Sequence, residues 1–258
     1  MTTYKVGYFV GSLSSASINR VLSKALVRLA PEGLEMREVP YGNLPLYNRD
    51  YDADYPPVAR EFKAAISAVD AVLFVTPEYN RSIPGALKNA IDWASRPYGT
   101  NALTRKPSAI IGTSPGKIGT AVAQQHLRSI LSFCNSPQMN SVEAYIQSEA
   151  GSISDDGEVT NATLEEFLRN YMTEFHGVHR ARVHGAAKKR LIVLFSTEGS
   201  SGHLGGVSTA GLRTRGEGSA ARKQTAFGRN GGRRTPHGAT AVAGVELRVR
   251  PHRVSFRR

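Results

Sequence analysis

The chain has 258 residues, enough for one large domain or two small ones with a sizeable buried core. Its single cysteine, Cys134, excludes an intramolecular disulfide and a cysteine-bound metal cluster, and suits a reducing cytoplasm. The net charge of +12 is held unevenly: residues 1–179 carry 16 Lys+Arg against 18 Asp+Glu, and residues 180–258 carry 17 against 3, so basic character belongs to the last third and not to the body. No run of about 18 apolar residues is present, and Met1 to Lys5 has no apolar segment behind a basic patch, so neither a membrane span nor a secretory signal is expected.

Tyr4 to Val10 has the length and apolarity of a strand, and Gly11 ends it. Val21, Leu22, Ala25, Leu26 and Leu29 then share one helical face. The loop between, Gly11 to Arg20, is neither a Gly-x-Gly-x-x-Gly fingerprint nor a Walker A loop. It is rich in serine and opens a helix. That suits either a phosphate, held by amides, hydroxyls and the positive helix end, or simple N-capping. Leu34 to Val39 alternates enough to be an edge strand. Tyr41 to Pro57, rich in Tyr, Pro, Asn and Asp, reads as a lid or flexible cover. Phe62, Ala65, Ile66 and Val69 mark a second helix.

Ala71 to Val75 is a continuous apolar run, the mark of a buried central strand. Pro77 stops it, and Pro84 stands where a helix through Ser95 begins. The turn between them can present backbone amides and a tyrosine ring at the carboxyl end of a strand, where open α/β sheets bind ligands; an ordinary connection would read the same. A fourth strand, Pro107 to Thr113, leads into a second glycine-containing turn, Gly112 to Gly119. Val122, Leu127, Ile130, Leu131 and Cys134 line the next helix, and Ser141 to Ile146 is a fifth strand. Leu164, Phe167, Leu168, Tyr171 and Phe175 mark a fifth helix. Five strand–helix alternations require an α/β fold, a parallel sheet covered on both faces, complete near Phe175.

Three segments carry a family resemblance. They are Gly11-Ser12-Leu13 continuing to Ser17-x-Asn19-Arg20; Thr76-Pro77-Glu78-Tyr79-Asn80 followed by Ser82-x-Pro84-Gly85-x-Leu87-Lys88-Asn89-Ala90-Ile91-Asp92-Trp93; and Ser114-x-Gly116-x-Ile118-Gly119 with Gln125-His126-Leu127-Arg128. Over Tyr4 to about His176 the chain resembles the NAD(P)H-dependent FMN reductases, which include soluble quinone, chromate and azo-dye reductases. The resemblance implies a flavodoxin-like, three-layer, doubly wound five-stranded parallel sheet over residues 1–178. It implies FMN as cofactor, NADPH or NADH as reductant, and a homodimer or homotetramer; no metal site is expected. Gly11, Ser12, Leu13, Ser17 and Asn19 would lie at the FMN phosphate. Pro77, Glu78, Tyr79, Asn80 and Arg81 would lie at the isoalloxazine ring, and Ser114 and Gly116 at its far edge. Many relatives have arginine after Gly-Ser-Leu; here that residue is Ser14, so one charge partner of the phosphate is missing.

The resemblance thus implies an enzyme that moves two electrons from the nicotinamide through FMN to a quinone or similar acceptor, with no catalytic side chain. A non-enzymatic FMN carrier or regulatory module is the alternative. Glu78 and Asp92 are not read as an acid–base pair, since hydride transfer needs no protein proton donor in its first step. Asp92 is expected to pair with a neighbouring helix or subunit. His126 is read as structural or interfacial, Cys134 as an inert core thiol, and Trp93 as packing. Residues 179–258 are rich in Gly and Arg, with one apolar pentamer, Leu191 to Phe195, a composition expected to be disordered. Three readings fit this tail: binding to nucleic acid or anionic surfaces, a linker, or out-of-frame read-through of a GC-rich gene. The lack of a nucleic-acid module or interleaved aromatics favours the last.

Overall fold

The computed structural model describes residues 3–178; the expectations for residues 179–258 lie outside them. Five strands, β1 (Tyr4–Val10), β2 (Leu34–Glu38), β3 (Ala71–Val75), β4 (Ser108–Ser114) and β5 (Tyr145–Gln147), form one parallel sheet in the order β2-β1-β3-β4-β5. This is the flavodoxin-like order, in which the chain reverses direction across the sheet beside β1 and β3. Between the strands run α1 (Ile18–Arg28), α2 (Pro57–Ser67), α3 (Gly85–Ser95) and α4 (Ala121–Phe133), and a fifth helix, α5, occupies 162–178.

The alternation of side chains along β3 explains the three layers. Val72 and Phe74 point into a core built with Phe62 and Ile66 of α2, Leu87, Ile91 and Trp93 of α3, and Leu127 and Leu131 of α4. Ala71, Leu73 and Val75 point the other way, onto Leu22 and Leu26 of α1 and Leu168, Tyr171 and Phe175 of α5. Every β3 side chain is buried, so the strand is uniformly apolar. β2, with no neighbour on its outer side, ends in the exposed Arg37 and Glu38.

Two expectations are corrected. The fifth strand is shorter and later than Ser141 to Ile146, because Val142 adopts a left-handed φ of 62° that an extended strand cannot contain. The chain meets β4 twice instead: Ser108 N–H bonds to Pro137 O and Met139 N–H to Ser108 O, each at 2.8 Å, and Tyr145–Gln147 pairs farther along. Nor is the segment from Tyr41 to Pro57 a loose cover. Tyr41 Oη donates to Val10 O at 2.6 Å, Asn89 Oδ1 accepts from Tyr47 N–H at 2.8 Å, and Trp93 Nε1 donates to Pro45 O at 2.7 Å. The Trp93 indole is fully buried, with the rings of Tyr47 and Tyr55 set edge-on at 5.2 and 5.0 Å. A short 3₁₀ turn, Arg49–Asp52, lies inside this strap.

The strand ends approach closely at Thr76. A Cβ at Gly112 would lie 2.0 Å from Thr76 O, a backbone atom that cannot yield. Gly112→Ala is therefore expected to destabilise the protein by at least about 3 kcal/mol, read as a lower urea midpoint. Gly85→Ala, where nothing lies within 4 Å, is expected to stay within about 0.5 kcal/mol of the parent or to gain slightly.

Candidate active site

Three loops leave the carboxyl ends of β1, β3 and β4 side by side and enclose a cleft of about 230 Å³. The first loop contributes Ser12, Ser14, Ala16, Ser17, Ile18 and Asn19, the second Pro77, Glu78 and Tyr79, and the third Thr113, Ser114 and Pro115. Seven of the twelve residues singled out in the sequence therefore line one hollow. Gly11 is buried behind it, and Leu13 lies at the rim beside Gly42. Asn80, Arg81 and Gly116 are exposed on the loop tips. Ser14, Ala16, Ile18, Thr113 and Pro115 were not singled out, although each is next or next but one to a residue that was.

The first loop is a ready anion cradle. The backbone N–H groups of Ser12, Leu13, Ser15 and Ala16 find no acceptor among the described residues. Ser17 is extended, caps α1, and accepts Arg20 N–H at 3.3 Å, which leaves its own hydroxyl proton free to donate. No carboxylate lies in the first turn of α1, so the positive helix end is uncompensated. The nearby arginines are already neutralised. Arg20 reaches both oxygens of Glu38 at 3.1 Å, and Arg81 meets Glu78 at 3.0 Å. Amides, hydroxyls and a helix dipole make this cradle, with no free guanidinium.

Asn19 is turned away from such a ligand. Its Nδ2 donates to Thr113 O at 2.9 Å and its Oδ1 accepts Thr113 N–H at 3.0 Å, all buried. It pins the start of α1 to the end of β4. Ser12 Oγ lies 3.1 Å from Tyr79 Oη, joining the first and second loops. In the second loop Tyr79 and Ser82 exchange backbone hydrogen bonds of 2.9 Å around Asn80 and Arg81, both left-handed with φ of 51° and 63°. The Glu78 carboxylate accepts the amides of Val122 and Ala123 at the start of α4. In the third loop, Ser114 Oγ accepts Gly116 N–H at 3.1 Å.

The remaining polar residues have local partners. Asp92 bonds Lys88 on its own helix at 2.8 Å, rather than a neighbouring element. His126 Nδ1 lies 3.1 Å from Ser82 Oγ on the exposed face of α4. Burial pushes the Cys134 thiol up, which suppresses the thiolate, as an inert core cysteine requires. Among the described residues no group of acidic, His and Cys side chains could hold a metal.

The sequence model described as NADPH-dependent FMN reductase matches residues 4–151. The chain belongs to the NADPH-dependent FMN reductase family. It is 47% identical over 171 residues to a 2-hydroxy-1,4-benzoquinone reductase from Burkholderia sp, spanning 66% of this chain and 93% of that one. It is 46% identical over 173 residues to a quinone reductase from Pseudomonas putida, spanning 67% of this chain and 92% of that one. It superposes on the flavoenzyme NAD(P)H:(acceptor) oxidoreductase FerB from Paracoccus denitrificans with a TM-score of 0.67 and 44% identity, covering 70% of this chain and 99% of that one. Membership of the NADPH-dependent FMN reductases makes the protein an oxidoreductase that uses FMN and a nicotinamide reductant. The cleft fits that cofactor: unpaired amides stand at a helix start, and an aromatic turn and a serine turn face them.

Removing the Asn19 tie would orphan the buried N–H and C=O of Thr113. Asn19→Ala is expected to cost about 2–4 kcal/mol in a denaturant titration. Asn19→Asp is expected to cost as much, because a carboxylate oxygen would then face Thr113 O.

Proposed function

We propose that the protein is an NAD(P)H-dependent quinone reductase, taking two electrons from NADPH or NADH and delivering them to a quinone or a similar small acceptor such as chromate or an azo compound. The observation that carries this is the open cleft on which three strand-end loops converge, with an anion cradle in the first loop and exposed apolar side chains on all three. Bound FMN supplies the chemistry, accepting a hydride and returning two electrons. Ser12, Leu13 and Ser17 hold the phosphate through amides and hydroxyls, with Gly11 and Asn19 fixing the cradle from behind. Pro77, Glu78, Tyr79, Asn80 and Arg81 shape the ring turn, and Ser114 and Gly116 the far edge. Leu13, Tyr79 and Ile118, each about half exposed, offer flat apolar surface to an acceptor. Reductant and acceptor would use one mouth in turn, which gives ping-pong kinetics.

A homodimer or homotetramer and a cytoplasmic location belong to the same reading. The large exposed side chains of Tyr98 and Phe133 add apolar surface away from the cleft that a second copy could cover. No helix among the described residues is long and apolar enough to cross a membrane.

The absorption spectrum of the purified protein, before and after NADPH, is the primary test. The expected result is a bound flavin that bleaches and recovers on adding a quinone, with parallel double-reciprocal lines in steady state. Bleaching without turnover would make the protein an electron carrier instead. Ser17→Ala is expected to weaken FMN by roughly 10- to 100-fold, the worth of a hydrogen bond to a charged group, and riboflavin much less. Equal losses would remove this loop from the phosphate. A chain ending at Val178 is expected to keep both FMN and NAD(P)H oxidation; loss of either would bring residues 179–258 into the working domain.

A further inference from the structure

We propose that Glu78 is a positioning residue whose carboxylate clamps the ring turn to the start of α4, so that the second and third loops act as one rigid wall. This rests on the reading that the Pro77–Asn80 turn holds the flavin ring.

The start of α4 is capped from a distance. Thr120, its N-cap residue, makes no side-chain capping bond, and α4 carries no acidic residue in its first turn. The amides of Val122 and Ala123 are instead taken by Glu78 Oε2, at 3.0 and 3.1 Å. A carboxylate at a helix start is favoured by the dipole, and bonds from two amides to one charged oxygen are strong. The other oxygen, Oε1, accepts Arg81 Nη1 at 3.0 Å. The side chain is 7% exposed, so both oxygens are committed and neither is offered to a ligand or a proton transfer.

The ion pair also bears on the turn. Asn80 and Arg81 are both left-handed, the pattern of a two-residue type I′ turn, in which the second position favours glycine. Arginine there is strained, and its guanidinium is held back over the turn by the residue that precedes Tyr79. Ser114–Gly119 leads directly into α4, and Gly119 N–H bonds Gly116 O at 2.9 Å, so fixing the start of α4 also fixes the third loop. Meanwhile Tyr79 Oη reaches Ser12. Two consecutive residues of the ring turn thus brace it against both neighbouring loops.

The clamp acts on the ring and not on the phosphate, which separates it from a general effect and from Ser17. With the full-length apoprotein, flavin fluorescence quenching gives dissociation constants for FMN and for riboflavin. Glu78→Ala is expected to weaken both ligands by the same factor, at least 10-fold. Arg81→Gly, which keeps the turn geometry but removes the ion pair to Glu78, is expected to weaken both ligands equally and by less than Glu78→Ala; a larger loss than Glu78→Ala would overturn the clamp. Arg81→Val, whose branched side chain resists a left-handed φ, is expected to fall with Glu78→Ala. If Glu78→Ala does not fold, Glu78→Gln carries the test: it keeps one oxygen for the α4 amides but turns an NH₂ toward Arg81. It should weaken both flavins at least threefold and change the visible circular dichroism of bound flavin. Unchanged flavin affinities in the folded Glu78 variants, even with a lower melting temperature, would overturn the clamp and leave Glu78 a helix cap alone. If the parent bound neither flavin, the reading of the cleft itself would fail instead.

Discussion

The structure depends on how closely β1, β3 and β4 approach one another at their carboxyl ends. Thr76 is the meeting point. Its N–H bonds Ile111 O at 3.0 Å, and Gly11 N–H bonds Val75 O at 2.8 Å, so the ladder continues one step past each strand. Two residues without a side chain make room. A Cβ at Gly11 would lie 2.6 Å from Thr76 Oγ1, and one at Gly112 would strike the carbonyl of the same residue. Thr76 is fully buried, and its hydroxyl turns back to Pro77 O at 3.0 Å. With any side chain at these glycines the strand ends would splay, and the loops that leave them would no longer share one hollow. Topology places the loops on one edge; this packing brings them within reach of a single cofactor.

Once the loops are adjacent, they are held by polar ties that use up side chains which, in isolation, look like ligands. Asn19 is bonded to Thr113, Glu78 to α4, Tyr79 to Ser12 and Arg20 to Glu38. What remains free in the first loop, among the described residues, is chiefly backbone: its amides, with the Ser17 hydroxyl proton and the positive end of α1 beside them. That arrangement bears on Ser14, which stands where many relatives have arginine. Where several amides and a helix start already face an anion, a further cation adds attraction at an exposed position, and that is worth little against solvent screening. Preorganised amides also keep their geometry when the ligand leaves.

The fold was legible because its signals are local. Ala71–Val75 is apolar throughout and bounded by Asp70 and Pro77, so both its limits and its central place follow from the sequence. The helical faces on either side follow from their period, and the outer position of β2 from its partial alternation. The order of errors is equally physical. The shortening of β5 depends on one backbone angle at Val142, a residue whose type favours strands. The strap from Tyr41 to Pro57 looked like a cover because it is long and rich in turn formers, yet its fasteners, Asn89 and Trp93, lie about 40 residues away. At the site, seven of the residues that line the cleft were found by motif, but what their side chains do was not. The partners of Glu78 are 44 and 45 residues distant and those of Asn19 are 94, and no spacing rule connects them.

The strap is a fixed part of the fold. It is fastened at its start by Tyr41 to the last residue of β1, in its middle by Asn89 and Trp93 to Pro45, and at its end by Tyr55 Oη to Trp93 O at 2.5 Å. Burial raises the pKa of both the Tyr41 and Tyr55 phenols, so these donors stay protonated far into the alkaline range. A segment held at three places is braced against the body of the fold, unlike a lid. In the proposed function an acceptor would meet the exposed apolar side chains of the three strand-end loops, Leu13, Tyr79 and Ile118, which present area without directed hydrogen bonds. Such a surface separates flat apolar molecules from small polar ones but distinguishes poorly among the former, because one methylene more or less changes binding by only about 1–3 kcal/mol. On that proposal cofactor recognition rests on fixed amides and ties and acceptor recognition on open apolar surface, which would make the first exacting and the second permissive.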